Sequence, residues 1–214
     1  MERPSPELHV IAGPNGSGKT TLTRKLLAHR WGAGLLYINP DEIARVDFGD
    51  WNDPKNQKAA ADAALSRRMA ALDARRNMAF ETVFSTPEKI AFLRDAKKRG
   101  YFVRFYFVGT GSPTINAARV AERMMRGEHS VPLEKIISRH PKSIANAAIV
   151  VPHLDRAYIY DNSVDGEDPR EILRVKDGLA IKVSENFPVW ASPILDAVER
   201  TLEATAASRP PSPR

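Results

Sequence analysis

The segment GPNGSGKT at residues 13–20 constrains the fold of this chain more than any other feature. It matches the pattern G-x-x-x-x-G-K-[ST], in which the backbone N–H groups of a glycine-rich loop cradle phosphates. The apolar run 8–12 before it is typical of a buried parallel strand, and the helix-forming segment 20–29 follows it. Because the loop lies between a strand and a helix, as its mechanism requires, the sequence predicts a nucleotide-binding P-loop.

Each residue type in this loop can serve a phosphate. Gly13, Gly16 and Gly18 let the backbone turn its N–H groups toward an anion, and the following helix adds its positive N-terminus. Lys19 can reach the β- and γ-phosphates, and the Thr20 hydroxyl can hold Mg²⁺, so we predict ATP and Mg²⁺ as cofactors. The predicted ATP-binding residues are Gly13, Pro14, Asn15, Gly16, Ser17, Gly18, Lys19, Thr20 and Thr21.

Strands and helices alternate along the rest of the chain. Further strands are predicted at 35–38, 79–84, 101–108 and 156–160, and a hairpin at 172–183 that turns at Asp177-Gly178. Helices are predicted at 55–77, 87–99, 114–126, 133–139, 142–150 and after Pro193. The long alanine-rich helix is expected to bury one face, made of Ala61, Leu65, Met69 and Leu72. The alternation predicts an α/β fold whose mainly parallel central sheet has helices on both faces.

Length and composition indicate one domain and an anionic partner. The chain has 214 residues, 43% of them hydrophobic, so we expect a single domain over 1–205 and a mobile tail over the Pro- and Ser-rich residues 206–214. No apolar run approaches the ~18 residues of a membrane span, which favours a cytoplasmic protein that does not engage a membrane. The net charge of +6 favours anionic partners. No block of like charges marks a nucleic-acid arm, so nucleic acid is an unlikely partner.

Two carboxylates are predicted near the P-loop, at the carboxyl edge of the sheet. Asp41 follows the second strand, where Asn39 and Pro40 begin a helix. It is either the general base for a substrate hydroxyl or an acid favoured by the helix dipole. Glu81 lies within an apolar strand, where a buried carboxylate needs partners, either structural hydrogen bonds or substrate hydroxyls and the Mg²⁺ shell. Together with Thr82, these two acids are the predicted substrate-binding residues.

Three arginines share one face of a predicted helix. Arg119, Arg123 and Arg126 stand at i, i+4 and i+7, so their guanidinium groups stack along the helix. One interpretation is a solvated face whose charge a neighbouring glutamate relieves. The interpretation that we favour is a lid region, residues about 114–143, which hinges at 127–132 and closes over the triphosphate.

Several segments together resemble the zeta toxin family of P-loop kinases, in its short single-domain form. They are AGPNGSGKTT, INPDEIA, FETVFST, and RVAERMMRGEHSVP followed by Arg139. The resemblance covers roughly residues 10–162 and implies a three-layer P-loop NTPase fold of the nucleoside-monophosphate-kinase type. In characterised members of that family, the reaction is ATP-dependent phosphorylation of the 3′-hydroxyl on the amino sugar of UDP-N-acetylglucosamine.

The resemblance also implies roles for particular residues and partners. Asp41 matches the family's catalytic aspartate, Lys19 its phosphate-loop lysine, and Glu81 its substrate-contacting glutamate. The family's lid arginines correspond to Arg119 or Arg123 together with Arg126, which completes the catalytic set. The implied partners are a UDP-sugar acceptor and a possible cognate antitoxin protein.

Three functions are compatible with these features of the sequence. The first is an ATP-dependent kinase that phosphorylates a hydroxyl of a small molecule, most directly a UDP-sugar such as UDP-N-acetylglucosamine. The second is a nucleoside kinase or a kinase of nucleic-acid ends, and the latter should show a broader basic or aromatic groove. The third is a nucleotide-binding regulatory module without a dedicated acceptor.

Overall fold

The computed structural model describes residues 5–29, 32–48, 53–127 and 131–207. The strands are β1 Glu7–Ala12, β2 Leu36–Ile38, β3 Met78–Thr82, β4 Phe102–Gly109, β5 Arg156–Asp161, β6 Arg170–Lys176 and β7 Leu179–Val183. The helices are α1 Lys19–Ala28, α2 Pro40–Asp47, α3 Pro54–Asp73, α4 Pro87–Lys98, α5 Pro113–Met125, α6 Leu133–Val150 and α7 Ser192–Ala207. Short 3₁₀ helices lie at Val151–His153 and Val189–Ala191. None of the helices described has the length and apolar character needed to cross a membrane.

All of these strands join one sheet in the order β2-β3-β1-β4-β5-β6-β7. The first five strands are parallel, and β6 and β7 extend the sheet as an antiparallel hairpin. The hairpin turns at Asp177 and Gly178, whose φ angles of 50° and 78° suit the tight turn predicted there. Helices surround the sheet, so the chain has the predicted three-layer α/β P-loop fold. The P-loop strand β1 is the middle one of the five parallel strands.

The central strand is buried on both faces. Leu8, Val10 and Ala12 belong to the large core on one side of the sheet. Ile11 belongs to a smaller cluster on the other side, together with Leu26 of α1 and two sheet tyrosines. A parallel strand covered on both faces is expected to be mostly apolar. In β1 the fully buried His9 is the exception, and its ring nitrogens lie within hydrogen-bond distance of Glu7 and the Tyr106 hydroxyl.

The buried face of α3 differs from the prediction. The residues that it buries are Ala60, Ala64, Arg68, Ala71 and Leu72. Ala61 is exposed, and Leu65 and Met69 keep 47% and 37% of their surface accessible. Only Leu72 of the predicted face is buried, so that prediction was wrong. Alanines lie on several sides of this helix, so the sequence does not single out one face. The small side chains of Ala60, Ala64 and Ala71 allow the helix to pack closely against the core on their side.

Helix α6 runs continuously through Pro141, where the sequence predicted a break between two helices. Proline removes one hydrogen bond within the helix and normally kinks or breaks it. Here, contacts on both sides of the proline hold the helix against the sheet. His140 Nε2 lies 2.9 Å from the Thr110 carbonyl oxygen, and the Ser143 hydroxyl donates to the Val83 carbonyl oxygen. Tertiary packing therefore overrides the local preference.

Two predicted loops fall partly outside the described residues. The predicted hinge 127–132 includes residues 128–130, which lie outside the described residues. The predicted tail lies outside them from residue 208 onward. The tail was predicted to begin at residue 206, but α7 extends to Ala207.

The hydroxyl of Tyr101 ties the end of α3 to the start of β4. The side chain is 2% exposed, and its oxygen lies 3.1 Å from the carbonyl oxygens of both Ala71 and Arg76. We expect Tyr101→Phe to lower the free energy of unfolding by about 1 kcal/mol, because the Ala71 and Arg76 carbonyls lose the hydroxyl as a donor and Ala71 keeps only the Arg76 N–H. Urea unfolding of both proteins measures this difference. Equal stability would mean that water replaces the hydroxyl.

Candidate active site

The P-loop connects β1 to α1 through three glycines with positive φ angles. Gly13, Gly16 and Gly18 have φ angles of 145°, 76° and 95°. A Cβ atom on Gly13 would lie 2.1 Å from the Val108 carbonyl oxygen, and one on Gly16 would lie 2.5 Å from the Asn116 carbonyl oxygen. Glycine is thus required here both for backbone conformation and for the close approach of neighbouring chain.

Two asparagines hold the loop from outside. Asn116 of α5 is fully buried and donates from Nδ2 to the Asn15 carbonyl oxygen at 2.6 Å. Asn162 follows β5 and donates from Nδ2 to the Ser17 carbonyl oxygen at 2.8 Å. Sequence reasoning missed both residues. For Asn162, its place directly after a parallel strand was the available signal, because such positions lie at the ligand-binding edge.

The loop also presents donors that a bound phosphate can use. Ser17 is fully buried, and its hydroxyl has no hydrogen-bond partner within the described part of the chain. Thr21 is exposed, and its N–H donates to the Gly18 carbonyl oxygen at 3.2 Å. The Lys19 ammonium donates to the carbonyl oxygens of Gly13 and Pro14 at 2.8 and 2.9 Å. These features suit an anion in the loop.

Burial of the Lys19 ammonium lowers its pKa to about 8. The carboxylates of Glu81 and Asp41 act in the opposite direction, while the Arg123 guanidinium lowers the pKa further. The predicted acids and one predicted lid arginine therefore lie within electrostatic reach of the P-loop lysine. The carboxyl edge of the sheet brings these side chains together, as parallel topology requires.

Glu81 has two hydroxyl partners. The Thr20 hydroxyl donates to Glu81 Oε2 at 3.2 Å, and the Tyr37 hydroxyl donates to Oε1 at 3.0 Å. Burial, with Glu81 next in importance, raises the pKa of Tyr37, so the phenol stays protonated and donates. Asn39 Nδ2 in turn donates to the Tyr37 oxygen at 3.3 Å. Tyr37 is a site residue that the sequence did not reveal.

Thr20 and Glu81 also match the chemistry of a Mg²⁺ site. Mg²⁺ prefers oxygen ligands, and it is commonly held by one or two carboxylates together with substrate phosphates and waters. The hydroxyl and carboxylate lie side by side at the end of the P-loop. The described residues contain no cluster of three or more acidic or histidine side chains that could hold a metal by itself. The donor set therefore fits a metal that arrives with a nucleotide.

Asp41 lies in the first turn of α2, at the carboxyl end of β2. The Asn39 side chain caps this helix by accepting from the Asp41 N–H at 2.9 Å, and Pro40 occupies the first turn, as predicted. The Asp41 side chain is exposed, and its charge acts on Lys19. Asp41 therefore lies in the first turn of a helix, and its charge acts on the P-loop lysine.

Thr82, the third predicted substrate-binding residue, is mostly buried. Its hydroxyl accepts from the Phe84 N–H at 3.1 Å, and its carbonyl accepts from the Gly13 N–H at 3.2 Å. Strand β3 ends here, two residues before the predicted end, because Phe84 takes a φ of 58°. In this structure the Thr82 side chain shapes the turn that follows Glu81.

The arginines of the predicted lid region take different positions. Arg119 donates to Asp165 at 2.7 and 2.5 Å and to the Asn162 carbonyl oxygen at 2.8 Å, so it braces the loop after β5. Arg123 lies near Lys19, and Arg126 is exposed at the end of α5. Arg139 of α6 donates to the Asn15 side chain at 3.4 Å. Arg139 thus contacts the P-loop, and Arg123 acts on it through its charge.

A family model places these features in a known context. The zeta toxin model matches residues 1–164, a range that includes the P-loop, Asp41, Glu81 and the lid-region arginines. The chain belongs to the zeta toxin family. Comparison with curated protein sequences gave no match.

Solved structures share the fold of this zeta toxin family chain at low sequence identity. One comes from the PezAT chromosomal toxin–antitoxin system of Streptococcus pneumoniae: identity is 16%, coverage 96% of this chain and 89% of that chain, and TM-score 0.60. Another is the native AvrRxo1-ORF1:-ORF2 complex: identity is 18%, coverage 92% of this chain and 76% of that chain, and the TM-score is 0.66. For the same complex with ATP, identity is 18%, coverage is 98% of this chain and 66% of that chain, and the TM-score is 0.64. Family and fold support a P-loop kinase, a phosphotransferase that uses ATP.

We expect ATP affinity to fall as the pH rises through about 8. The protonated lysine, present below this pKa, attracts phosphates, and the neutral form does not. Bound phosphates raise the lysine pKa, so the dissociation constant should increase by up to about tenfold per pH unit above 8. Titration of a fluorescent ATP analogue between about pH 7 and pH 9.5 measures this. In Lys19→Arg the side chain stays charged over this range, so ATP affinity should not change with pH. A wild-type affinity that does not change with pH would contradict the role of the Lys19 charge in ATP binding.

Proposed function

We propose that this chain transfers the γ-phosphate of ATP to a hydroxyl group of a small molecule. The observation that carries the proposal is the convergence of a lysine, a hydroxyl–carboxylate pair and an exposed aspartate at one edge of the sheet. Lys19 is the lysine, Thr20 and Glu81 are the pair, and Asp41 is the aspartate. Phosphoryl transfer needs mainly positioning and charge stabilisation, which this set can supply.

Lys19 and Arg123 would serve the phosphates. The lysine now donates to two loop carbonyls, and a nucleotide would offer it stronger, charged acceptors in their place. Because the arginine lies close to the lysine, both cations would face the β- and γ-phosphates. Their charge stabilises the transition state most where it develops, on the transferring group.

Thr20 and Glu81 would hold Mg²⁺. When bound, this ion neutralises the charge of the phosphate oxygens during transfer. The remaining work belongs to the side chains: the Thr20 hydroxyl offers a ligand oxygen, and Tyr37 fixes the orientation of the Glu81 carboxylate by its hydrogen bond at 3.0 Å.

Asp41 would act on the acceptor. Its carboxylate accepts the proton of the acceptor hydroxyl while the hydroxyl oxygen forms a bond to the γ-phosphorus. The bond from that phosphorus to the bridging oxygen breaks, and ADP leaves with the electron pair. The exposure of Asp41 beside the P-loop leaves room for an acceptor on this side.

We propose a UDP-sugar as the acceptor, most directly UDP-N-acetylglucosamine, on the basis of family membership. The experiment that tests this incubates the protein with Mg-ATP and a panel of UDP-sugars, nucleosides and oligonucleotide 5′-ends. The transfer of the γ-phosphate is then measured by mass. Transfer to nucleosides or oligonucleotides alone would replace the UDP-sugar, and ATP binding without transfer to any acceptor would favour a regulatory module.

An antitoxin protein is the second proposed partner. The support is family membership and the likeness to PezAT, which is described as a toxin–antitoxin system. A kinase that acts on an essential metabolite needs such a partner to restrain it in the cell that produces it.

We expect Asp41→Asn to retain ATP binding but to lose phosphoryl transfer by on the order of 10²-fold or more, the usual scale for a general base. Nucleotide titration and transfer assays on the same preparation separate the two effects. Glu42→Gln, one residue further along α2, is the matched control and should keep most of the transfer rate. Parallel losses of ATP binding and transfer in Asp41→Asn would mark the aspartate as structural instead.

We propose that Arg119, Arg123 and Arg126 form a lid over the triphosphate, and we expect their contributions to differ. Arg123→Ala should lower transfer at saturating ATP by at least about tenfold, because its charge acts near Lys19. Arg119→Ala should mainly lower thermal stability, because it removes the bond to the Asn162 carbonyl. If all three single variants, including Arg126→Ala, keep the wild-type turnover, the lid proposal is wrong.

A further inference from the structure

Phe84, three residues after Glu81, has a backbone conformation that a bulky residue rarely adopts. Its φ angle is 58°, in the left-handed region, where the Cβ atom of any residue other than glycine crowds the following carbonyl oxygen. The side chain is 1% exposed, and its ring packs edge-on against Phe105, with 5.1 Å between the ring centroids. Strain of this kind persists only where the surrounding structure imposes it, and it concentrates at functional sites.

Three hydrogen bonds from side chains to the backbone hold the turn around Phe84. The Ser143 hydroxyl donates to the Val83 carbonyl oxygen, and Asn146 Nδ2 donates to the Phe84 carbonyl oxygen at 3.0 Å. The Phe84 N–H donates to the Thr82 hydroxyl at 3.1 Å. Two of these three bonds come from α6, so this helix imposes the left-handed conformation from outside the strand.

Helix α6 is also fixed to the other loops at this edge of the sheet. His140 Nε2 lies 2.9 Å from the Thr110 carbonyl oxygen, in the segment after β4. Arg139 donates to the side chain of Asn15 in the P-loop at 3.4 Å. The residues that hold the β3 turn lie three to seven positions further along the same face of the helix. One helix face therefore contacts the segments after β3, β1 and β4, which are neighbours in the sheet.

The end of β3 depends on this turn because the sheet holds it from one side only. Strand β2 pairs with β3 as far as Phe80, whereas β1 pairs with it as far as Thr82. Within the described part of the chain, Glu81 and Thr82 thus have ladder partners in β1 alone. A change in the Phe84 conformation would break the bond from its N–H to Thr82, and the end of β3 could then move on its free side.

We propose that Ser143 and Asn146 are positioning residues for the Glu81 carboxylate. By imposing the left-handed turn at Phe84, they fix the end of β3 where Glu81 meets its two hydroxyl partners. They act through the strand and not on the phosphates. The positioning itself rests on these contacts, and its importance for phosphoryl transfer rests on the proposed function.

The first test measures the position of Glu81 without any reaction. Ser143→Ala and Asn146→Leu remove the two donors with little change in side-chain size. In NMR spectra of protein with isotope-labelled tyrosine, the ring carbon of Tyr37 that bears the hydroxyl reports the bond to Glu81, and its signal is assigned by its loss in Tyr37→Phe. Both variants should shift this Tyr37 signal toward its position in Glu81→Ala. Ser66→Ala removes an exposed hydroxyl of α3, so it is the matched control and should leave the signal unchanged.

The second test measures transfer to the acceptor at saturating Mg-ATP. Because a small displacement of a positioning group slows a reaction strongly, both variants should lower the turnover number by at least about tenfold. The dissociation constant of an ATP analogue, measured without Mg²⁺, should stay within about threefold of the wild-type value, since the P-loop itself is unchanged. Thermal unfolding confirms that each variant is folded at the assay temperature, so that reduced stability alone cannot explain a lower turnover.

The two tests have separate consequences. An unchanged Tyr37 signal in both variants overturns the proposal, whatever the turnover. A shifted signal with wild-type turnover overturns the link to the reaction, provided that Glu81→Ala has lost transfer. If Glu81→Ala itself keeps wild-type transfer, the proposed function of Glu81 fails, while the Tyr37 signal still decides whether α6 positions the carboxylate. Should Ser143→Ala fail to fold, Asn146→Leu answers both questions, because Asn146 is only partly buried.

Discussion

The close packing of the P-loop backbone against its neighbours is the constraint on which the rest of the site depends. A Cβ atom on Gly13 would overlap the Val108 carbonyl of β4, and one on Gly18 would lie 2.3 Å from Asn162 Nδ2. The loop can take this form only if β4 and β5 follow β1 in the sheet, in that order. The strand order therefore determines the conformation of the phosphate-binding loop. A shift of β4 or β5 would remove the contacts that hold the loop in this conformation.

A hydrogen-bond chain extends this constraint to the proposed acceptor side. Asn39 caps α2, donates to Tyr37, and thereby fixes the donor that orients Glu81 beside Thr20. The helix that carries Asp41 is thus connected, bond by bond, to the threonine at the end of the P-loop. Networks of this kind stiffen polar sites when every member has a partner. A movement of α2 on acceptor binding would therefore change the position of the Glu81 carboxylate next to Thr20.

Local patterns predicted the strands and the P-loop, because each depends on residues near in sequence. The position of Glu81 in an apolar strand predicted that it needs partners, but not that these are Thr20 and Tyr37. The burial of α3 was not predictable, since its alanines offer several equivalent faces and the sheet selects one. Pro141 indicated a helix end that tertiary contacts overcome. Tyr37 and Asn116 matter through partners 44 and 101 residues away, and no periodicity encodes such pairs. The catalytic roles assigned to Asp41 and the arginines stay predictions.

The charges around the P-loop suit a bound anion. Burial lowers the pKa of Lys19 to about 8 against the opposing charges of Glu81 and Asp41, and Arg123 adds another cation. Such burial of a charged group lowers stability, and it persists in proteins where function requires it.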